Sequence, residues 1–129
     1  MRIDFSPNIP IYIQVIEFIK IEIATGRLAI GDKIPTVRAL ANELEVNQNT
    51  IQRTFQELEK EEVSVTRRGI GRYITNREEK IKELRTKMIK ELVDKFINDI
   101  KNLNATEKEI LLILQSSLDM GKFEISSKE

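Results

Sequence analysis

The feature that most constrains this chain is a turn of only about three residues, Glu45–Val46–Asn47, between two short helical patterns. Ahead of it, Thr36 precedes Val37–Arg38–Ala39–Leu40–Ala41 as a good N-cap, and Val37, Leu40 and Leu44 mark one buried face. Behind it, Asn47 or Asn49 starts a second helix that runs to about Glu62, with Ile51, Phe55 and Leu58 on one side. Two short helices joined by so tight a turn make a helix-turn-helix.

The flanks extend this unit. Tyr12, Val15, Ile16, Ile19 and Ile23 recur at three- and four-residue steps, which predicts an amphipathic helix from Pro10 to about Thr25. Pro10 suits its first turn, and Gly26 follows as a C′ residue. The spacing outweighs the strand preference of so many Ile residues. Leu28 to Pro35 reads as a connector with a turn at Gly31–Asp32. Past the second motif helix, Val63–Ser64–Val65–Thr66 alternates and is β-branched. Arg67–Arg68–Gly69–Ile70–Gly71–Arg72 is a glycine-containing turn, and Tyr73–Ile74–Thr75 alternates again. That is a hairpin, and a hairpin directly after a helix-turn-helix is a wing.

From about Asn76 the composition shifts to helix formers, with no Gly or Pro until Gly121. Ile81, Leu84, Met88, Leu92, Phe96, Ile100 and Leu103 form a stripe, widened by Ile89, Val93 and Ile97. Thr106 and Glu109 have capping-box spacing, and Ile110, Leu111, Ile113, Leu114 and Leu118 follow on a broad face that ends at Gly121. These two helices carry too much apolar surface for an isolated pair. A second copy of the chain is the expected cover, with Leu84, Met88, Leu92, Phe96, Ile100, Ile110 and Leu114 at a two-fold interface. The alternative is that the stripe folds back on its own head.

Composition removes most other functions. The 129 residues contain no Cys and no His, so a thiol nucleophile, a zinc finger and any His-dependent triad are excluded. No metal, cofactor or enzymatic activity is expected. The start, Met1–Arg2–Ile3–Asp4, does not read as a signal peptide, and no apolar run is long enough to span a membrane. A cytoplasmic location is expected. Lys plus Arg and Asp plus Glu are both 21, so only local charge can point to nucleic acid.

Local charge does so. Arg38 offers a guanidinium fork suited to phosphate or to a guanine edge; the plainer reading is a solvated Arg or a pair with Glu43. Asn47, Gln48, Asn49, Thr50, Gln52 and Arg53 crowd the first turns of the second motif helix. Helix N-termini suit phosphate, and amide side chains can read adenine, although N-capping alone explains some of these residues. Arg67, Arg68 and Arg72 flank Gly69 and Gly71 at the wing, where glycine allows close backbone approach and Arg suits a narrow minor groove. A merely solubilising hairpin tip is the alternative. Glu57, Glu59, Glu61 and Glu62 should turn the far end of that helix away from phosphate. Tyr12 is expected to pack on the motif helices; Lys20 and Asp99 read as solvated charges.

Several separated motifs then agree in order and spacing. They are Pro10–Ile11–Tyr12-x-Gln14, the run from Gly26 through Gly31–Asp32-x-Ile34–Pro35–Thr36–Val37–Arg38-x-Leu40–Ala41, Val46–Asn47-x-Asn49–Thr50–Ile51, and Arg67–Arg68–Gly69-x-Gly71. Over about residues 8–75 this resembles the GntR family of bacterial transcription regulators, and the rest resembles the two-helix module of its small YtrA-type subfamily. Two positions depart from the pattern. Gln48 stands where many subfamilies place Arg, so base preference does not carry over there. Glu62 stands where the family often has Gly. Gln14 matches, but no role follows for it.

The residues and the resemblance together predict a mainly α fold with a small β-hairpin: an N-terminal winged helix-turn-helix DNA-binding domain over 1–75 and a two-helix dimerisation module over 76–121, while the residues themselves read as a flexible tail over 122–129. The resemblance implies a dimeric repressor of its own operon, often a transporter operon in YtrA-type relatives. The partner would be a palindromic double-stranded DNA operator with half-sites about 34 Å apart. DNA contacts would come from Thr36, Arg38, the six residues Asn47 to Thr50, Gln52 and Arg53, and the wing residues Arg67, Arg68, Gly69, Gly71 and Arg72. A small-molecule effector is unknown from sequence; a module this small favours a place between subunits or against the head over an enclosed pocket of its own. The competing function is a winged-helix adaptor for a protein partner. The wing arginines and polar helix start argue against it, because protein interfaces favour aromatic and aliphatic anchors.

Overall fold

The computed structural model describes residues 1–121, so the tail expected over 122–129 lies outside the described residues. Along the chain run α1 (Ile11–Ala24), α2 (Val37–Leu44), α3 (Gln48–Lys60), β1 (Ser64–Arg67), β2 (Gly71–Ile74), α4 (Glu78–Lys101) and α5 (Glu107–Asp119). This is the mainly helical architecture with one hairpin that the sequence predicts.

The helix ends follow from local chemistry. The Pro10 carbonyl accepts the N–H groups of Ile13 (3.2 Å) and Gln14 (3.4 Å), so Pro10 is the N-cap of α1 rather than its first helical residue. Gln14 has a role that its sequence position does not reveal. Its amide nitrogen donates to the carbonyls of Ser6 (2.8 Å) and Ile9 (2.7 Å), and its oxygen accepts the Ser6 N–H (2.8 Å). It ties the irregular N-terminal segment to α1.

The Thr36 hydroxyl accepts the Ala39 N–H at 3.1 Å and caps α2. Glu45, at φ 57°, makes the reversal between the motif helices, and the Val46 N–H returns to the Ala41 carbonyl at 3.0 Å. Asn47, not Asn49, caps α3: its side chain accepts the Asn49 N–H at 2.7 Å. At the other end of α3, Val63 N–H donates to Leu58 (3.1 Å) and Glu62 N–H to Glu59 (3.0 Å). This pair of bonds is a Schellman motif, which puts its C′ residue in the left-handed region. That residue is Glu62, at φ 61°, which gives the departure from Gly a physical meaning. The helix is not disturbed, but a side chain occupies a glycine conformation.

The core lies between α1, α2, α3 and the wing. Phe55, Ile19, Ile23, Leu40, Ile51, Leu58, Ile74, Val15 and Val63 are all buried in it. At roughly 1.5–3 kcal/mol per fully buried large side chain, this cluster is the main source of the head's stability. Thr54 is buried among them and satisfied, since its hydroxyl donates to the Thr50 carbonyl at 2.9 Å.

The wing differs from its sequence reading in two ways. β1 and β2 pair antiparallel with Arg67 opposite Gly71, so the strands reach further toward the tip than expected and only Arg68–Ile70 turns. The Leu28–Pro35 stretch is also more than a connector. Ile34 N–H donates to the Arg72 carbonyl (2.8 Å) and Ile74 N–H to the Asp32 carbonyl (2.8 Å), with a bridge between Lys33 and Tyr73. This short segment covers the free edge of β2.

The chain divides into two compact units, Met1–Ile89 and a second beginning at Lys90. Composition shifts at residue 76, while the first compact unit extends into α4 as far as Ile89. The reason is packing. Leu84, expected at a subunit interface, is 4% exposed and belongs to the head core, with Ile81 and Met88 packed against the same cluster. Lys20, read as a solvated charge, instead forms an ion pair with Glu61, and both side chains are largely buried. Asp99 does stay on a solvated face, where Lys95 pairs with it one turn away at 2.9 Å. In the second unit, Thr106 and Glu109 form the expected capping box at the start of α5. Among the described residues no helix is long and apolar enough to cross a membrane.

Candidate nucleic-acid interface

The exposed side of α3 is set by what its other side buries. With Ile51, Thr54, Phe55 and Leu58 inward, Gln48, Asn49, Gln52 and Arg53 face out together on its first two turns. Thr50 is half-buried beside them. The Asn47 side-chain oxygen is spent on capping, which leaves its amide donors available. Thr36 is exposed and likewise accepts through its hydroxyl. Arg38, on the first turn of α2, is exposed and makes no ion pair among the described residues; the alternative pair with Glu43 does not form.

The wing arginines are not equivalent. Arg68 stands exposed at the tip beside Gly69, whose φ of 76° needs no Cβ to be accommodated. Gly71 takes φ 138°, and a Cβ there would lie 3.0 Å from the Lys33 side chain. Arg67 and Arg72 sit on the strands rather than in the turn. Arg67 lies over the Tyr73 ring, 4.6 Å from its centroid, on the diagonal across the ladder. Arg72 is half-buried, 4.8 Å from the centroid of Phe55. Arg53 stacks most closely of all, at 3.7 Å over Tyr12 of α1. Tyr12 therefore packs on a motif helix as expected, but through a cation rather than an apolar contact.

The acidic end of α3 is held internally. The Glu59 carboxylate accepts the Thr66 hydroxyl at 2.7 Å. Glu62 accepts from Lys80 at 3.0 Å, and Glu61 pairs with Lys20 and, at 3.5 Å, with Lys87 of α4. Burial pushes the Glu61 carboxyl up, but Lys20 and then Lys87 outweigh it and hold it below the usual carboxylate range. The Lys80 ammonium lowers Glu62 in the same way. The start of α3 and the wing thus present cations and amides, while several acids are neutralised within the head. No cluster of carboxylates able to hold a metal occurs among the described residues.

A helix-turn-helix with a polar, acid-free leading turn, backed by an arginine-bearing wing, defines a winged-helix DNA-binding protein. Residues 11–74 match the family described as bacterial regulatory proteins, gntR family. The chain is 38% identical to the HTH-type transcriptional repressor YtrA of Bacillus subtilis over 77% of this chain and 77% of that protein. A solved GntR family transcriptional regulator from Listeria monocytogenes superposes with a TM-score of 0.81 at 38% identity, over 87% of this chain and 98% of that one. The DNA-binding domain of AraR, solved in complex with operator ORX1, matches 58% of this chain and 95% of its own length, at 25% identity and a TM-score of 0.52. The chain belongs to the GntR family and is a transcription regulator, not an enzyme.

Proposed function

We propose that this protein is a homodimeric repressor of its own operon. It reads a palindromic operator in the cytoplasm through the start of α3 and through the wing. Arg38, Gln48, Gln52 and Arg53 meet the major groove and its phosphates, with Asn47, Asn49, Thr50 and Thr36 at the helix starts. Arg68 and the Gly69–Gly71 backbone approach the minor groove, and Arg67 and Arg72 support the wing from its strands. The observation that carries the DNA reading is the division of charge along α3: an exposed, acid-free first half and an acidic end bonded internally. The YtrA relative is a transcriptional repressor, and the AraR domain was solved on an operator; both support it.

The dimer rests on the second unit. No residue of α5 is buried, Leu92 is 65% exposed, and Phe96, Ile97, Leu111 and Leu114 are exposed as well. An open apolar groove of about 440 Å³ runs along Leu92, Phe96, Ile100 and Leu103. Apolar faces this continuous are rare on monomers, and a second copy covers them symmetrically. Of the interface residues expected, Leu92, Phe96, Ile100, Ile110 and Leu114 remain in this proposal; Leu84 and Met88 are used by the head.

Selection of bound duplexes from a random DNA pool tests the proposal, with Arg38→Ala as control. A recovered palindrome that the control fails to enrich is the expected result. Enrichment of a single, unrepeated half-site would remove the dimer, and no enrichment at all would remove the DNA reading.

A further inference from the structure

The Arg53–Tyr12 stack reaches beyond the helix-turn-helix, because Arg53 belongs to α3 and Tyr12 to α1. It borders a shallow groove of about 250 Å³ that also contains Ile16, Gln56, Glu57 and Lys60. Glu57 stands one helical turn after Arg53, the spacing at which an ion pair could form. No such pair occurs among the described residues; the guanidinium takes the ring instead, at 3.7 Å. The two choices differ chemically. A pair with Glu57 would neutralise Arg53 and occupy its N–H donors. A stack uses only the flat face of the guanidinium and leaves the in-plane donors and the full charge free for an anion. Arg53 is exposed, one turn beyond Asn49 and next to Gln52 on the outward side of α3.

We infer that Tyr12 is a positioning residue for DNA binding. Its ring holds Arg53 with the N–H edge outward, as a pre-oriented clamp for a DNA phosphate that extends the interface from α3 to the start of α1. This inference rests on the DNA reading proposed above. The ring acts, not the hydroxyl. Ordering a long side chain before DNA arrives removes an entropic cost from binding, as pre-organisation does elsewhere.

The test is a binding cycle on the full chain, using the duplex recovered by selection, at several salt concentrations. The variants are Tyr12→Phe, Tyr12→Leu, Arg53→Ala, Arg53→Lys and Tyr12→Leu with Arg53→Ala. Tyr12→Phe is expected to bind as wild type. Tyr12→Leu is expected to lose about two- to fivefold in affinity per head while keeping the wild-type salt slope, because the charge remains. Arg53→Ala should bind more weakly still and lower the salt slope by about one contact per head. Adding Tyr12→Leu to Arg53→Ala should change nothing further. Wild-type affinity in Tyr12→Leu, or an equal loss in the presence and absence of Arg53, would overturn the inference while leaving the DNA reading intact. If Tyr12→Leu fails to fold, Arg53→Lys decides: a surface change that keeps charge but loses the flat stack should weaken binding with the slope retained, and wild-type binding by it refutes the clamp. A wild-type protein that binds no duplex overturns both readings.

Discussion

The guanidinium of Arg72 on β2 lies over the ring of Phe55 on α3, 4.8 Å from its centroid. Phe55 is 1% exposed, so the contact joins the wing to the packed underside of the helix proposed to read DNA. Arg72 therefore ties the wing to α3, while Arg68 stands exposed at the tip, where the proposed interface places phosphate. Arg72→Ala should lower the thermal midpoint by a few degrees, from loss of about 0.5–1 kcal/mol, and weaken operator binding with it. Arg68→Ala should leave the midpoint unchanged and lower the salt slope by about one contact per head. Thermal melts and salt titrations of the two variants separate these roles; identical behaviour would show that Arg72 does not hold the wing.

Glu62 occupies φ 61° at the end of α3 while its carboxylate pairs with Lys80 at 3.0 Å. Glu62→Ala removes the pair and keeps the unfavourable backbone. Glu62→Gly removes both. The glycine variant should unfold roughly 5 °C above the alanine variant. Equal midpoints in thermal unfolding would mean that the left-handed residue carries no cost here.

Glu61 links α3 to Lys20 of α1 and Lys87 of α4. Its carboxyl titrates lower in the folded protein than in the unfolded chain, because Lys20 and Lys87 outweigh the effect of burial. The stability that the pairing contributes is complete above the unfolded value and is lost as pH falls through the lowered folded one. Glu61→Gln should therefore be less stable at neutral pH and lose part of the acid sensitivity. Denaturation curves from neutral pH down through the carboxylate range check this. Parallel acid profiles for the two proteins would count against it.

Leu84 and Leu92 lie on one helix but have different surroundings. Leu84 is 4% exposed in the head core, and Leu92 is 65% exposed in the second unit. Leu84→Ala should cost about 2–4 kcal/mol of head stability. Leu92→Asp should leave the head folded, shift sedimentation from dimer to monomer and weaken operator binding by losing the second half-site. A Leu92→Asp protein that remains dimeric would take this part of α4 out of the proposed interface.

The helix-turn-helix, the wing and the capping box at Thr106 were legible because each depends on local chemistry: apolar spacing, cap residues and turn residues a few positions apart. The candidate DNA residues were legible as a set for the same reason, since they gather within α2, the start of α3 and one hairpin. The differences among them were not. Nothing in the spacing of Arg53, Arg67 and Arg72 reveals that each meets an aromatic ring, because Tyr12 and Phe55 come from other elements and Tyr73 meets Arg67 only through the strand register. Gln14 and Lys20 escaped for a similar reason: their partners Ser6 and Glu61 lie outside the helix that carries them.

The same distinction explains why the first compact unit extends into α4. A continuous apolar stripe from Ile81 to Leu103 specifies a helix with one sticky face, and that much the sequence alone determines. It does not say which neighbour covers each part, because a helix face is apolar in the same way whether it packs on its own head or remains exposed. Only the tertiary structure decides that Leu84 belongs to the head core and that Leu92 does not, since burial depends on which residues the fold brings alongside.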